Sequence, residues 1–145
     1  MTAPSDASPR YEQVWGFQPL LRAFRRARKA KRGRGGEPAF YEDLEESLLA
    51  LGEALRARTY RPDPYRYFSL RNRKERVVSE ASFRDRVVHH ALVAALEPVF
   101  EPRFYEHSYA CRKGKGQHAA VERVRRLSRR HRYFLRLDVE RYFES

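Results

Sequence analysis

The sequence predicts an α+β fold, mostly helical, with one β-hairpin and one further strand near the C-terminal end. Three observations carry that prediction. Apolar residues recur at helical spacing in several segments. One segment, "YRYFSLRNRKERVVSE", sets two short β-patterned runs on either side of a polar turn. The stretch "RYFLRLD" alternates, with Tyr133, Leu135 and Leu137 on one side and Phe134, Arg136 and Asp138 on the other.

Residues 1–10 are small, polar and Pro-containing, and read as a disordered tail. Residues 11–59 read as a helical region with a basic arm. A helical pattern starts at Tyr11 and continues through Leu20, Phe24 and Ala27. It runs into "RAFRRARKAKRGRGG", which holds eight positive charges and no acid. Gly33, Gly35 and Gly36 end any helix there. The run is either a phosphate-contacting arm or a solvated helix face and loop. The segment "EPAFYEDLEESLLALGEALRARTY" reverses the charge. Phe40, Leu44, Leu48, Leu51 and Leu55 recur at spacings of four and three, which predicts an amphipathic packing helix with an acidic outer face. Glu37 before Pro38 suits its first turn, and "RPDPYR" breaks the pattern.

Residues 60–131 form the next region. Tyr67, Phe68 and Leu70 belong to the first hairpin strand, and Val77 and Val78 to the second. The turn between them is basic, with Arg71, Arg73, Lys74 and Arg76 close together. A helix follows from about Phe83 to Phe100, with Val87, Val88, Ala91, Leu92, Ala95, Leu96 and Val99 as a broad apolar face. Pro98 and Pro102 mark its end. The loop "HSYACRKGKGQ" leads into a last helix over 117–130. Its apolar face is Ala120, Val121, Val124 and Leu127, and Arg123, Arg125, Arg126, Arg129 and Arg130 occupy the others. The alternating strand belongs to residues 132–145.

Composition narrows the function. The chain of 145 residues is 41% hydrophobic and 13% aromatic, enough for a core. Its 31 Lys and Arg against 19 Asp and Glu leave a net charge of +12, which points to a polyanionic partner, nucleic acid before membrane. No apolar run reaches the ~18 residues of a membrane span, and "MTAPSDASPR" lacks the pattern of a secretory signal. Cys111 is the single cysteine, so no intrachain disulfide forms, which fits a cytoplasmic protein. "RKGKGQ" lacks the order of a nucleotide-wrapping phosphate loop. The five histidines show no zinc spacing with the one Cys, and no partner set for covalent catalysis is visible. What remains is a basic hairpin, a basic Gly-containing loop, a basic helix and a carboxylate at a strand end. Phosphoryl transfer uses all four, cations for the phosphates and carboxylates for divalent metals. A lone Asp at a strand end is equally a structural residue or a cap.

The motifs "FRDRVVHHAL", "LEPVFEPRF", "SYACRKGKGQHAA" and "LDVERYF" stand in an order and approximate spacing that resemble the fingers region of bacterial reverse transcriptases. The resemblance is to the group II intron-like lineage, most closely to diversity-generating retroelements. It is clear over 60–143 and weaker over the N-terminal helices. It implies the fingers and start of the palm of a right-hand polymerase, with 60–131 as fingers and 132–145 as the first edge of the palm.

The resemblance assigns roles residue by residue. Asp138 matches the catalytic metal ligand, and the carbonyl of Val139 completes the metal shell. The metal is Mg2+, two ions in an intact enzyme; a hard cation of this kind prefers oxygen ligands. Phe143 matches the sugar gate that excludes a ribose 2′-hydroxyl; its bland reading is a core Phe. Arg76 and Lys74 match cations on the incoming triphosphate, an Arg as a planar fork and a Lys as a point charge. Arg112, Lys113 and Lys115 are expected near the template or primer backbone, with Gly114 and Gly116 allowing close approach. Arg84, Asp85 and Arg86 are expected to be structural, with Asp85 in local ion pairs rather than on a metal. The implied partners are an RNA template, a DNA or RNA primer, deoxynucleotide triphosphates and a basic helical accessory protein.

Departures from the pattern define the competing readings. The aromatic-x-Asp-Asp motif of the family is absent, and no Asp-Asp pair occurs in the chain. The expectation is therefore an N-terminal fragment of an RNA-directed DNA polymerase, inactive by itself, since two metals need several carboxylates. The alternatives are a non-catalytic RNA- or DNA-binding module using residues 22–34 and 117–130, and a truncated product without function.

Overall fold

A computed structural model describes residues 11–29, 36–71 and 75–140. The tail expected over 1–10 lies outside them. The chain divides into two compact units, Met1–Pro102 and Arg103–Ser145.

The first unit begins with two helices, α1 (Glu12–Trp15) and α2 (Phe17–Arg28). The single helical pattern is broken at Gly16, which is extended at φ −62° and ψ 149°. Pro19 explains the break. In one continuous helix its ring would meet the carbonyl four residues back, at Trp15. In α2 it sits in the first turn, where its missing N–H costs nothing. The acidic segment is also split, into α3 (Glu37–Glu42) and α4 (Leu44–Arg56), at Asp43 with φ −115° and ψ 51°. Asp competes for backbone hydrogen bonds and favours helix ends over interiors.

The hairpin follows as β1 (Arg66–Arg71) and β2 (Glu75–Glu80), antiparallel, with Arg66 opposite Glu80 and Arg71 opposite Glu75. Helix α5 (Phe83–Phe100) starts at Ser82, whose Oγ accepts the Asp85 N–H at 3.1 Å. Pro98 lies inside α5 and does not end it.

The core of this unit joins α1, α2, α4 and α5. Leu20, Leu48 and Val87 are fully buried, with Phe24, Leu51, Leu55, Phe83 and Val88 around them. The rings of Phe24, Phe40 and Phe83 meet at centroid distances of 5.6–5.9 Å. Gly52 permits the closest backbone approach: a Cβ there would lie 2.7 Å from the Trp15 carbonyl oxygen. The buried residues of α5 all lie in its first half, and among the described residues Ala95 alone packs on the core from the second half, half-buried. Leu92 and Leu96, expected on its apolar face, are exposed, as are Val93 and Phe100.

A short 3-10 turn (Glu101–Arg103) follows α5 at the border of the units, and the second unit holds the loop 104–116 and helix α6 (Gln117–Ser128). None of the residues of α6 is buried, so its expected apolar face is exposed at Val121 and Val124. The strand expected over 132–138 does not form. Residues 133–139 adopt no regular element, and Phe134 is 94% exposed. A strand exists through its pairing, and among the described residues β1 and β2 pair only with each other.

Candidate nucleic-acid and nucleotide interface

The hairpin is set by a polar clamp at its base. Asp85, 2% exposed, accepts the Tyr60 hydroxyl on Oδ1 and the Asp63 N–H on Oδ2 at 2.9 Å. Arg84 donates to the Arg61 carbonyl at 2.7 Å and pairs with Asp63 at 3.2 Å. Burial, then the Asp85 hydrogen bond and charge, push the Tyr60 hydroxyl well above its ordinary pKa, so it stays protonated and remains a donor. One carboxylate therefore ties the segment entering β1 to the helix that follows β2. Arg66 and Glu80 close the hairpin base at 2.7 Å. This bears out the structural role expected of Arg84 and Asp85. The sequence reading missed Tyr60 and Asp63 as partners; the only signal was "RPDPYR", read there as a helix breaker.

Arg76 lies on β2 opposite Leu70, on the strand face that carries Phe68 and Val78. It is exposed. Its neighbours on the hairpin are engaged, Arg66 with Glu80 and Arg71 with Glu75 at 4.0 Å. Arg76 pairs with no carboxylate among the described residues, so its guanidinium fork is open to an anion. Lys74, the second expected triphosphate contact, lies outside the described residues, as does Phe143, the expected sugar gate.

The loop 104–116 uses its cations to build itself. Arg112 donates to the carbonyls of Tyr105 at 2.8 Å and Ser108 at 3.1 Å, and its guanidinium lies over the Phe104 ring. Lys115 donates to the Glu106 carbonyl and lies 5.5 Å from the Tyr109 ring centroid. His107 sits between Tyr105 and Tyr109 and meets Arg123 of α6 at 3.2 Å. Gly114 and Gly116 have φ of 73° and 96°, the left-handed region that glycine enters without strain. Arg112 and Lys115, expected on a nucleic-acid backbone, are thus staples of the loop first. Lys113, at its tip, is exposed.

Asp138 and Val139 are exposed on the irregular segment 133–139. Among the described residues no three His, Cys, Asp or Glu side chains gather into a metal site. Mg2+ is held by carboxylates that supplement its waters and substrate phosphates. Asp138 offers one such carboxylate, and the described residues do not complete a two-metal set. No described helix is long and apolar enough to cross a membrane.

Comparison with known proteins bears on what these parts belong to. No protein-family model matches the chain. Over 104 residues, 70% of the chain, it is 28% identical to group II intron-encoded protein LtrA of Lactococcus lactis subsp. cremoris. The chain is similar to an intron-encoded protein. It is also 38% identical over 60 residues, 41% of its length, to nuclear intron maturase 1, mitochondrial, of Arabidopsis thaliana. Over 109 residues, 70% of the chain, it is 30% identical to protein YkfC of Escherichia coli strain K12. These matches cover 17%, 8% and 29% of the respective relatives, so the chain spans less than a third of each. They support a reverse-transcriptase-related lineage.

Proposed function

We propose that the chain forms the fingers and the start of the palm of an RNA-directed DNA polymerase. The observation that carries this reading is the set of four ordered motifs over 83–143, in a chain that matches an intron-encoded protein over 104 residues. The hairpin supports it: its base is pinned to α5, and Arg76 has no carboxylate partner among the described residues. In this reading Arg76, with Lys74, holds the triphosphate of an incoming deoxynucleotide. The primer 3′-hydroxyl attacks the α-phosphate and pyrophosphate leaves. Asp138 contributes one carboxylate to a Mg2+ set whose other ligands lie beyond the described residues. Phe143 excludes the ribose 2′-hydroxyl.

The test is a chimera of LtrA carrying residues 60–143 of this chain in place of its matching stretch, assayed for primer extension on an RNA template. The chimera is expected to extend, and Asp138→Ala in it to lose metal-dependent extension. Full extension by the Asp138→Ala chimera would refute the assignment. Phe143→Val is expected to raise ribonucleotide incorporation in the same chimera, and an unchanged sugar preference would remove the gate.

A second reading has its own support. The exposed arginines of α6 and the open cations of α2 suit a basic RNA- or DNA-binding module without catalysis. Extension by the chimera separates the two, because a binding module gives none.

A further inference from the structure

Helix α2 buries Leu20, Ala23, Phe24 and Ala27 and turns Arg22, Arg25, Arg26 and Lys29 outward. Those four positions fall at i, i+3, i+4 and i+7, which is one stripe of a helix. All four are exposed, and none has an ion pair with a described residue. Among the described residues, the one α2 arginine with a carboxylate partner is Arg28, off the stripe, with Glu37 at 2.5 Å and its guanidinium over the Tyr41 ring at 3.9 Å. Like charges three and four residues apart on a helix repel, by a few tenths of a kcal/mol per pair. No acid in 17–29 relieves them.

The positive field extends across the seam to α5, which packs along α2. Arg86 and His90 stand one turn apart on α5, and Arg26 acts on His90 from α2. Burial first, then the charges of Arg26, Arg86 and His89, lower the His90 pKa; no carboxylate offsets them.

We propose that the outer stripe of α2, Arg22, Arg25, Arg26 and Lys29, is a track for the phosphodiester backbone of a nucleic-acid strand. The stripe covers seven residues of rise, roughly 10 Å, a length that spans adjacent phosphates. A membrane surface fits less well. An amphipathic helix holds to a bilayer by inserting its apolar face, and the apolar face of α2 is already buried in the core. The track rests on the nucleic-acid-binding reading above and shares no residue with the hairpin or with Asp138, so it stands whether or not the chain belongs to a polymerase.

The experiment measures binding of the full 145-residue chain to single-stranded RNA and DNA oligonucleotides of one sequence, and to phosphatidylserine vesicles, by anisotropy and co-sedimentation over a salt series. The variants are Arg25→Gln/Arg26→Gln and, independently, Arg22→Gln/Lys29→Gln, with circular dichroism to check folding. All four side chains are exposed, so at least one variant is expected to fold. Each variant is expected to bind about tenfold more weakly. The slope of log K against log salt is expected to fall by about 1.4, from ~0.7 per lost phosphate contact. The RNA and DNA arms identify the strand: tighter RNA binding names RNA, and tighter DNA binding names DNA. Wild-type affinity and slope in a folded variant would overturn the track. So would tighter binding to the vesicles than to either oligonucleotide. The readout is binding rather than extension, which keeps this result distinct from the polymerase assay.

Discussion

Asp85 lies between two arginines in the sequence, and that neighbourhood suggests an ion pair. In the structure its nearest partners are instead a hydroxyl and a backbone N–H, from Tyr60 and Asp63, with Arg84 at 3.9 Å. Periodicity places Asp85 on a helix but says nothing about a loop that folds back over it from more than 20 residues earlier in the chain. The energetic consequence is specific. Asp85→Ala leaves two partly buried hydrogen bonds without their acceptor and is expected to cost about 2 kcal/mol. Tyr60→Phe removes one donor and is expected to cost about 1 kcal/mol. Urea unfolding of the two variants measures both, and midpoints equal to the parent's would show that the clamp carries no stability. Gly52 gives a second test at this scale. Alanine usually stabilises a helix over glycine by up to ~1 kcal/mol. Here the new Cβ meets the Trp15 carbonyl oxygen at 2.7 Å, a backbone atom that cannot rotate away. Gly52→Ala is therefore expected to lower stability by about 1–2 kcal/mol, read as a lower melting temperature. A melting temperature at or above that of the parent would mean that α1 shifts freely.

Among the elements, α5 and the hairpin were the most legible in the sequence. The apolar spacing gave α5 its limits at Phe83 and Phe100, and β-patterned runs gave both strands. Helix breaks at Gly16 and Asp43 were less legible because one apolar face continues across each pair of helices. The strand expected at 132–138 does not form, because alternation records a capacity to pair, whereas a strand also needs a neighbour. Two predictions belong here. In the LtrA chimera, Arg76→Ala is expected to raise KM for deoxynucleotide about tenfold or more, as loss of a charge-assisted contact does. An unchanged KM would remove Arg76 from the triphosphate. The second concerns the seam between α2 and α5. Because the His90 pKa is lowered in the fold, the unfolded chain takes up this proton first. Stability is then lost as pH falls below about 6.5, until the folded value is passed. His90→Gln is expected to flatten that dependence in melts between pH 7.5 and 5; a slope equal to the parent's would assign it to other groups.

At the scale of the whole molecule, charge was the feature most directly readable. A net charge of +12 is enough by itself to point to a polyanion. Which cations are available was not readable, since availability depends on partners. Arg112 and Lys115 sit in the most basic-looking loop and are bound to its own carbonyls. Arg25 and Arg26 look like part of an undifferentiated basic run and stand open on a rigid helix. The clamp at Asp85 has a consequence of this larger kind. Both strands of the hairpin leave the packed helices beside one carboxylate, and almost nothing along their length touches the core. The hairpin can therefore be lengthened, shortened or recoded at its tip without disturbing what holds the domain together. Reach and chemistry at the tip are free to diverge between relatives, while the fulcrum stays where the fold requires it.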